Sequence, residues 1–138
     1  MDQILEGGCH CGALRYRVAG AVIDSGYCHC RICQRTTGAP ALAWVTVPLE
    51  AFAMTAGEAR VYRSSSWGER HFCGTCGAQI VYRDREAPKT VDVNAGTLDE
   101  PGRIGPDYHI HRADRIPWFE TADDLPRHDD AGPDGESS

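Results

Sequence analysis

The chain has 138 residues, 41% of them hydrophobic, a length that buries one core without splitting into two domains. Its net charge of −6 is concentrated at one end: residues 1–119 balance, whereas residues 120–138 hold seven acids against Arg127 alone. That distribution offers no basic field of the kind that dominates nucleic-acid affinity, no apolar run approaches the roughly 18 residues of a membrane span, and the start, "MDQILEGGCHCG", lacks the basic flank and apolar stretch of a signal peptide. The expectation is a cytoplasmic protein whose partners are neither nucleic acid nor membrane.

In chain order, "ALRYRV" (13–18) comes first, setting Leu14, Tyr16 and Val18 against Arg15 and Arg17 with the period of a half-buried strand. "RICQRTT" (31–37) reads as a turn or two of helix, ended by Gly38 and Pro40. Strand-like segments recur at 41–47, 59–63, 78–83, 90–94 and 107–111, short, rich in β-branched or aromatic residues and separated by Gly or Pro. "TADDL" (121–125) is expected to form a short helix with Thr121 as its N-cap. After it, "RHDDAGPDGESS" has no large apolar residue, so residues 128–138 are expected to be a disordered acidic tail behind one domain spanning 1–127. The fold class is mainly β, one domain with few short helical turns.

Seven cysteines cannot all pair as disulfides within one chain, and in a reducing compartment clustered cysteines point to metal ligands or nucleophiles. They fall in three groups: Cys9 and Cys11; Cys28, Cys30 and Cys33; Cys73 and Cys76. In extended chain, residues i and i+2 share a face, so each Cys-x-Cys aims two sulfurs at one ion while His10 or His29 points away. Gly7, Gly8, Gly12, Gly74 and Gly77 allow the sharp bends such knuckles need. Two pairs make one closed four-cysteine site, and the triplet makes a second with three protein ligands and a vacancy, the pattern of catalytic rather than structural zinc. Other partitions remain open on spacing alone. Cys30 and Cys33 could join Cys73 and Cys76 as a zinc ribbon, the triplet could be three free thiols, or His29 or His71 could complete it.

The blocks "GGCHCGALRY", "CHCRICQRTTGAPALAWV", "YRSSSWGERHFCGTCGAQIVY", "DVNAGTLDEP" and "IPWF" followed by "DDLP" resemble the glutathione-dependent formaldehyde-activating enzymes, the family described together with centromere protein V. The likeness spans roughly residues 7–127. It implies a small, single-domain, curved β-sheet architecture stapled by a structural zinc on Cys9, Cys11, Cys73 and Cys76, with a catalytic zinc on Cys28, Cys30 and Cys33, two zinc ions per chain. It further implies a carbon-sulfur lyase type of activity run as a synthase, in which glutathione and formaldehyde, both small-molecule partners, condense to S-(hydroxymethyl)glutathione. The same open site acting on another thiol or aldehyde, and a zinc-stapled protein-binding module, are the alternatives.

A free thiol with pKa ~8.5 is only a few per cent ionised at neutral pH, so attack on an aldehyde calls for a group that keeps sulfur as thiolate. Glutathione brings two carboxylates, and Arg31 and Arg35 beside the triplet are the candidate clamps, with Arg70 a third. His29, His109 and His111 are candidate proton carriers; Trp44, Trp67 and Trp118 are core or pocket candidates, and "SSSWG" (64–68) reads as a polar turn.

Overall fold

A computed structural model describes residues 3–133. The elements are β1 (Gln3–Gly8), β2 (Arg15–Gly20), β3 (Asp24–Cys28), α1 (Arg31–Thr37), β4 (Leu42–Pro48), β5 (Phe52–Ala56), β6 (Arg60–Arg63), β7 (Gly68–Phe72), β8 (Gln79–Asp84), β9 (Thr90–Asn94) and β10 (His109–Ile110), with short 3-10 turns between some of them. They form a three-stranded sheet in the order β1-β2-β5 and a seven-stranded sheet in the order β10-β3-β4-β9-β8-β7-β6. The protein is thus mainly β, as the alternating segments predict. No helix among the described residues is long and apolar enough to cross a membrane.

Alternation locates β2, β4, β6, β8 and β9 to within two residues, but β1, β3, β5 and β7 carry no comparable signal. "DSGYC" and "GERHF" are poor in β-formers; they are strands because each is hydrogen-bonded on both sides, β3 between β10 and β4, β7 between β6 and β8. Sheet pairing here overrides weak local propensity.

The seven-stranded sheet is buried on both faces near its middle, and β4 shows how. Val45 and Val47 face the three-stranded sheet and join Leu5, Tyr16, Val18, Val91 and Val93 in the main core. Trp44 takes the opposite face and joins Cys28, Cys30, Cys33, Tyr108 and Ile110 in a second cluster. Burial of each large apolar side chain contributes about 1.5–3 kcal/mol, so the first cluster holds the sheets together and the second shapes a site. Gly26 makes room for it: a Cβ there would stand 2.6 Å from the Trp44 ring and 2.8 Å from the Tyr108 carbonyl oxygen.

Two C-terminal expectations change. Residues 121–125 are not helical. Asp123 Oδ1 instead accepts from Leu125 N–H at 3.1 Å and from Arg127 at 3.2 Å, and Thr121 Oγ1 accepts from Arg127 at 3.1 Å. These side chain hydrogen bonds compete with helix formation. Strand β10 is limited to His109 and Ile110, because His111 adopts φ 54 and turns the chain away. Of the expected tail, residues 134–138 lie outside the described residues; residues 128–130 give backbone carbonyls to Arg112, Ala113 and His111 at 3.0, 3.3 and 2.8 Å.

Candidate functional site

The hairpin loop between β1 and β2 carries Cys9 and Cys11, and that between β7 and β8 carries Cys73 and Cys76. The four sulfurs lie within 4.8 Å of one another, with Cys9 Sγ 3.6 Å from Cys11 Sγ and Cys11 Sγ 3.8 Å from Cys73 Sγ. Tetrahedral Zn–S bonds of ~2.3 Å require sulfurs roughly 3.8 Å apart, whereas a disulfide needs about 2.05 Å. The donor set therefore fits a four-coordinate metal. Backbone amides converge on these sulfurs: Leu14 N–H donates to Cys9 Sγ at 3.2 Å, and Thr75 and Cys76 N–H to Cys73 Sγ at 3.4 and 3.5 Å. Gly12 and Gly77, at φ 84 and 81, close the two knuckles in a conformation that L side chains rarely adopt. Backbone hydrogen bonding, led by Ala78, draws the Cys76 thiol down to about 6. Cys11 is pushed up to about 11 by its crowded sulfur neighbours, Cys9 foremost, against the pull of the Ala13 amide. Four such sulfurs ionise together only around a cation.

Cys28, Cys30 and Cys33 form the second group, also within 4.8 Å and all buried. Cys28 ends β3, Cys30 is the N-cap of α1, and Cys33 sits in its first turn. Cys30 Sγ accepts the Cys33 N–H at 3.1 Å, and Cys33 Sγ lies 3.4 Å from Cys28 Sγ. Hydrogen bonds with Cys30 and Cys33, together with burial, raise the Cys28 thiol well above its ordinary value. These donors too suit a soft cation, with three protein sulfurs. The two hairpin loops bring together one of the partitions that counting left open; among the described residues neither His29 nor His71 belongs to the triplet group.

His29 instead points behind the cluster. Its Nε2 lies 2.8 Å from His109 Nδ1, and His109 Nε2 lies 3.1 Å from Asp123 Oδ1. Burial first, then the charges of His109 and Arg112, push His29 down to about 4. A carboxylate at Asp123 accepts from His109 Nε2, leaving His109 Nδ1 to accept from His29. The histidines thus bind the C-terminal segment to the back of the triplet. His111 is outside this chain of contacts.

On the other side, sheet register composes a wall. Arg70 of β7 pairs with Tyr82 of β8, Tyr82 with Asp92 of β9, and Asp92 with Thr46 of β4. The next row sets Asn94 beside Trp44. Trp44 Nε1 donates to Thr46 Oγ1 at 3.1 Å, and the Thr46 hydroxyl donates to Asp92 Oδ1 at 2.6 Å. Asn94 donates to the Gln79 carbonyl at 3.0 Å. Between this wall and the Cys28 and Cys33 sulfurs lies a pocket of about 20 Å³, flanked by Leu42 and Ile110 and open to solvent on one side.

Arg31 and Arg35 project from α1 into solvent and do not line this cavity; the Arg31 guanidinium donates to the Gln34 side chain. Arg70 is the arginine at the cavity, only 2% exposed. Trp44 is the tryptophan there, while Trp118 is 75% exposed and Trp67 half-buried. Ser65 Oγ accepts the Gly68 N–H at 2.9 Å, making the expected polar turn. Sequence reasoning missed Tyr82, Asp92 and Asn94. Their only signal is a polar or aromatic side chain at every second strand position on a face that local pattern alone leaves unassigned.

Comparison with known proteins bears on the same residues. The profile of a family described as glutathione-dependent formaldehyde-activating enzyme matches residues 4–114. A protein of Halomonas elongata, provisionally named a glutathione-dependent formaldehyde-activating enzyme, is 30% identical over 132 residues, covering 86% of this chain and 81% of its own. A crystal structure of a Rhodobacter sphaeroides protein is similar with a TM-score of 0.59 and 25% identity, over 73% of this chain and 91% of that one.

Proposed function

We propose, from the premise that this chain belongs to the glutathione-dependent formaldehyde-activating enzyme family, that it is a zinc-dependent enzyme of carbon-sulfur lyase type joining glutathione to formaldehyde as S-(hydroxymethyl)glutathione. The carrying observation is the grouping of three buried sulfurs, two of which, Cys28 and Cys33, line a solvent-open pocket shared with Arg70.

Cys28, Cys30 and Cys33 would hold the metal, and Cys9, Cys11, Cys73 and Cys76 a second, structural ion. Zinc, held by these three sulfurs, would supply the positive charge that keeps a substrate sulfur ionised. The protein's own contribution is placement. The amide of Cys33 holds Cys30, Leu42, Trp44 and Ile110 give the pocket an apolar rim, and the Arg70 guanidinium sits beside Cys33 Sγ. In the reaction the thiolate forms the C–S bond, the carbonyl π pair moves to oxygen, and that oxygen takes up one proton, so the proton lost by the thiol balances the step. Arg31 and Arg35, exposed near the triplet, remain proposed partners for the glutathione carboxylates. Action in the cytoplasm, where glutathione is reduced and abundant, accords with this chemistry.

The test is NMR exchange between glutathione, formaldehyde and their adduct in the presence of zinc-loaded protein. Catalysed exchange by the wild type and its loss in Cys30→Ser is the expected result. Equal exchange in both removes the proposal.

A further inference from the structure

Arg70 is the largest side chain in the fully buried set, and it does not belong to the family's cysteine pattern. Strand β7 places it, through pairing with Tyr82, on the face that looks toward the triplet. Its Nε donates to Ser64 Oγ at 3.0 Å, its Cζ lies 4.9 Å from the centre of the Tyr82 ring, and its Nη2 is 3.6 Å from Cys33 Sγ. A buried guanidinium is costly unless an anion or a π face compensates it. A neighbour able to carry full negative charge, the sulfur of Cys33, stands next to the guanidinium.

Charge counting shows what that contact does. A divalent ion with three thiolates carries −1, and a fourth, substrate thiolate would bring the unit to −2. With a fixed +1 beside Cys33 the ion and its sulfurs are offset by one charge at each stage, whatever the constant contribution of Asp92 across the pocket. We infer that Arg70 is the positioning residue that makes the three-sulfur centre selective for an anionic sulfur as its fourth ligand, by neutralising the cluster through Cys33. The inference rests on the function proposed above, and it goes further by assigning ligand selectivity to a residue that binds no metal itself.

The experiment uses the full chain loaded with cobalt(II), whose thiolate charge-transfer absorption reports sulfur bound at the metal. Two small ligands are titrated: 2-mercaptoethanol, which binds as an anion and carries no carboxylate, and imidazole, which binds neutral. Arg70→Met is expected to weaken 2-mercaptoethanol binding about 10–100-fold, the range for outer partners of metal ligands, and imidazole binding less than about 3-fold. Arg70→Lys, which restores charge without the planar fork, recovers most of the loss. Cobalt retained by the four-cysteine group in the same molecule shows that the variant is folded. Equal weakening for both ligands, or no weakening for the thiol, overturns the inference; so does a wild-type protein that gives no new thiolate band. Glutathione–formaldehyde exchange is scored separately, so catalysis can stand while this inference falls.

Discussion

Removing one sulfur from each group should have very different consequences, because the groups sit differently in the chain. Cys11 and Cys73, 62 residues apart, join the loop of the three-stranded sheet to a loop of the seven-stranded one, whereas Cys28 and Cys33 are five residues apart on one strand and the helix that follows. Closing the longer loop removes about 2 kcal/mol more chain entropy from the unfolded state. A structural zinc site contributes on the order of 10 kcal/mol apparent in small domains, set against a total stability of about 5–15 kcal/mol. Cys73→Ala, with Cys73 buried in the main core, should therefore leave a chain that is unfolded or barely folded at 25 °C. Cys30→Ala loses an N-cap hydrogen bond, about 1 kcal/mol, and a small buried group, so its melting temperature should fall by roughly 5–10 °C while activity is lost. Circular dichroism melts of the zinc-loaded variants decide the matter. Equal melting temperatures would refute the assignment of the four-sulfur group as the staple.

Elemental analysis should find about two zinc ions per chain in the wild type and about one in Cys30→Ala; one in both would remove the second site. Gly26→Ala should lower the melting temperature and alter the near-ultraviolet tryptophan signal, since the new methyl meets the Trp44 ring and a Tyr108 backbone oxygen that cannot swing aside; an unchanged signal would mean the indole lies elsewhere. Asp123 is held well below the usual carboxylate range by Thr121 first and by His109 and the Leu125 amide besides. A depressed carboxyl stabilises the fold above its unfolded pKa of about 3.9 and loses that effect as pH falls toward its folded value. The melting difference between wild type and Asp123→Asn should accordingly be full at pH 6 and shrink below about pH 4, and a difference that grows on acidification would contradict it.

What the sequence determines about this protein is local: sulfur spacing, the glycines that close the knuckles, the alternation that makes β2, β4, β8 and β9 strands, and the mainly β class that follows from them. Those features depend on neighbours a few residues away, so they can be read along the chain. Which cysteine pairs meet is not local, and counting left several partitions open until the hairpin loops of β1–β2 and β7–β8 came together. The wall opposite the triplet is even less local. Arg70, Tyr82, Asp92 and Thr46 come from four strands and become neighbours only through register, where a slip of one residue would turn each to the other face. The tertiary structure therefore decides which arginine meets the sulfurs. It buries Arg70 and leaves Arg31 and Arg35, the nearer pair in sequence, in water, because distance along a chain of packed sheets does not measure distance across them.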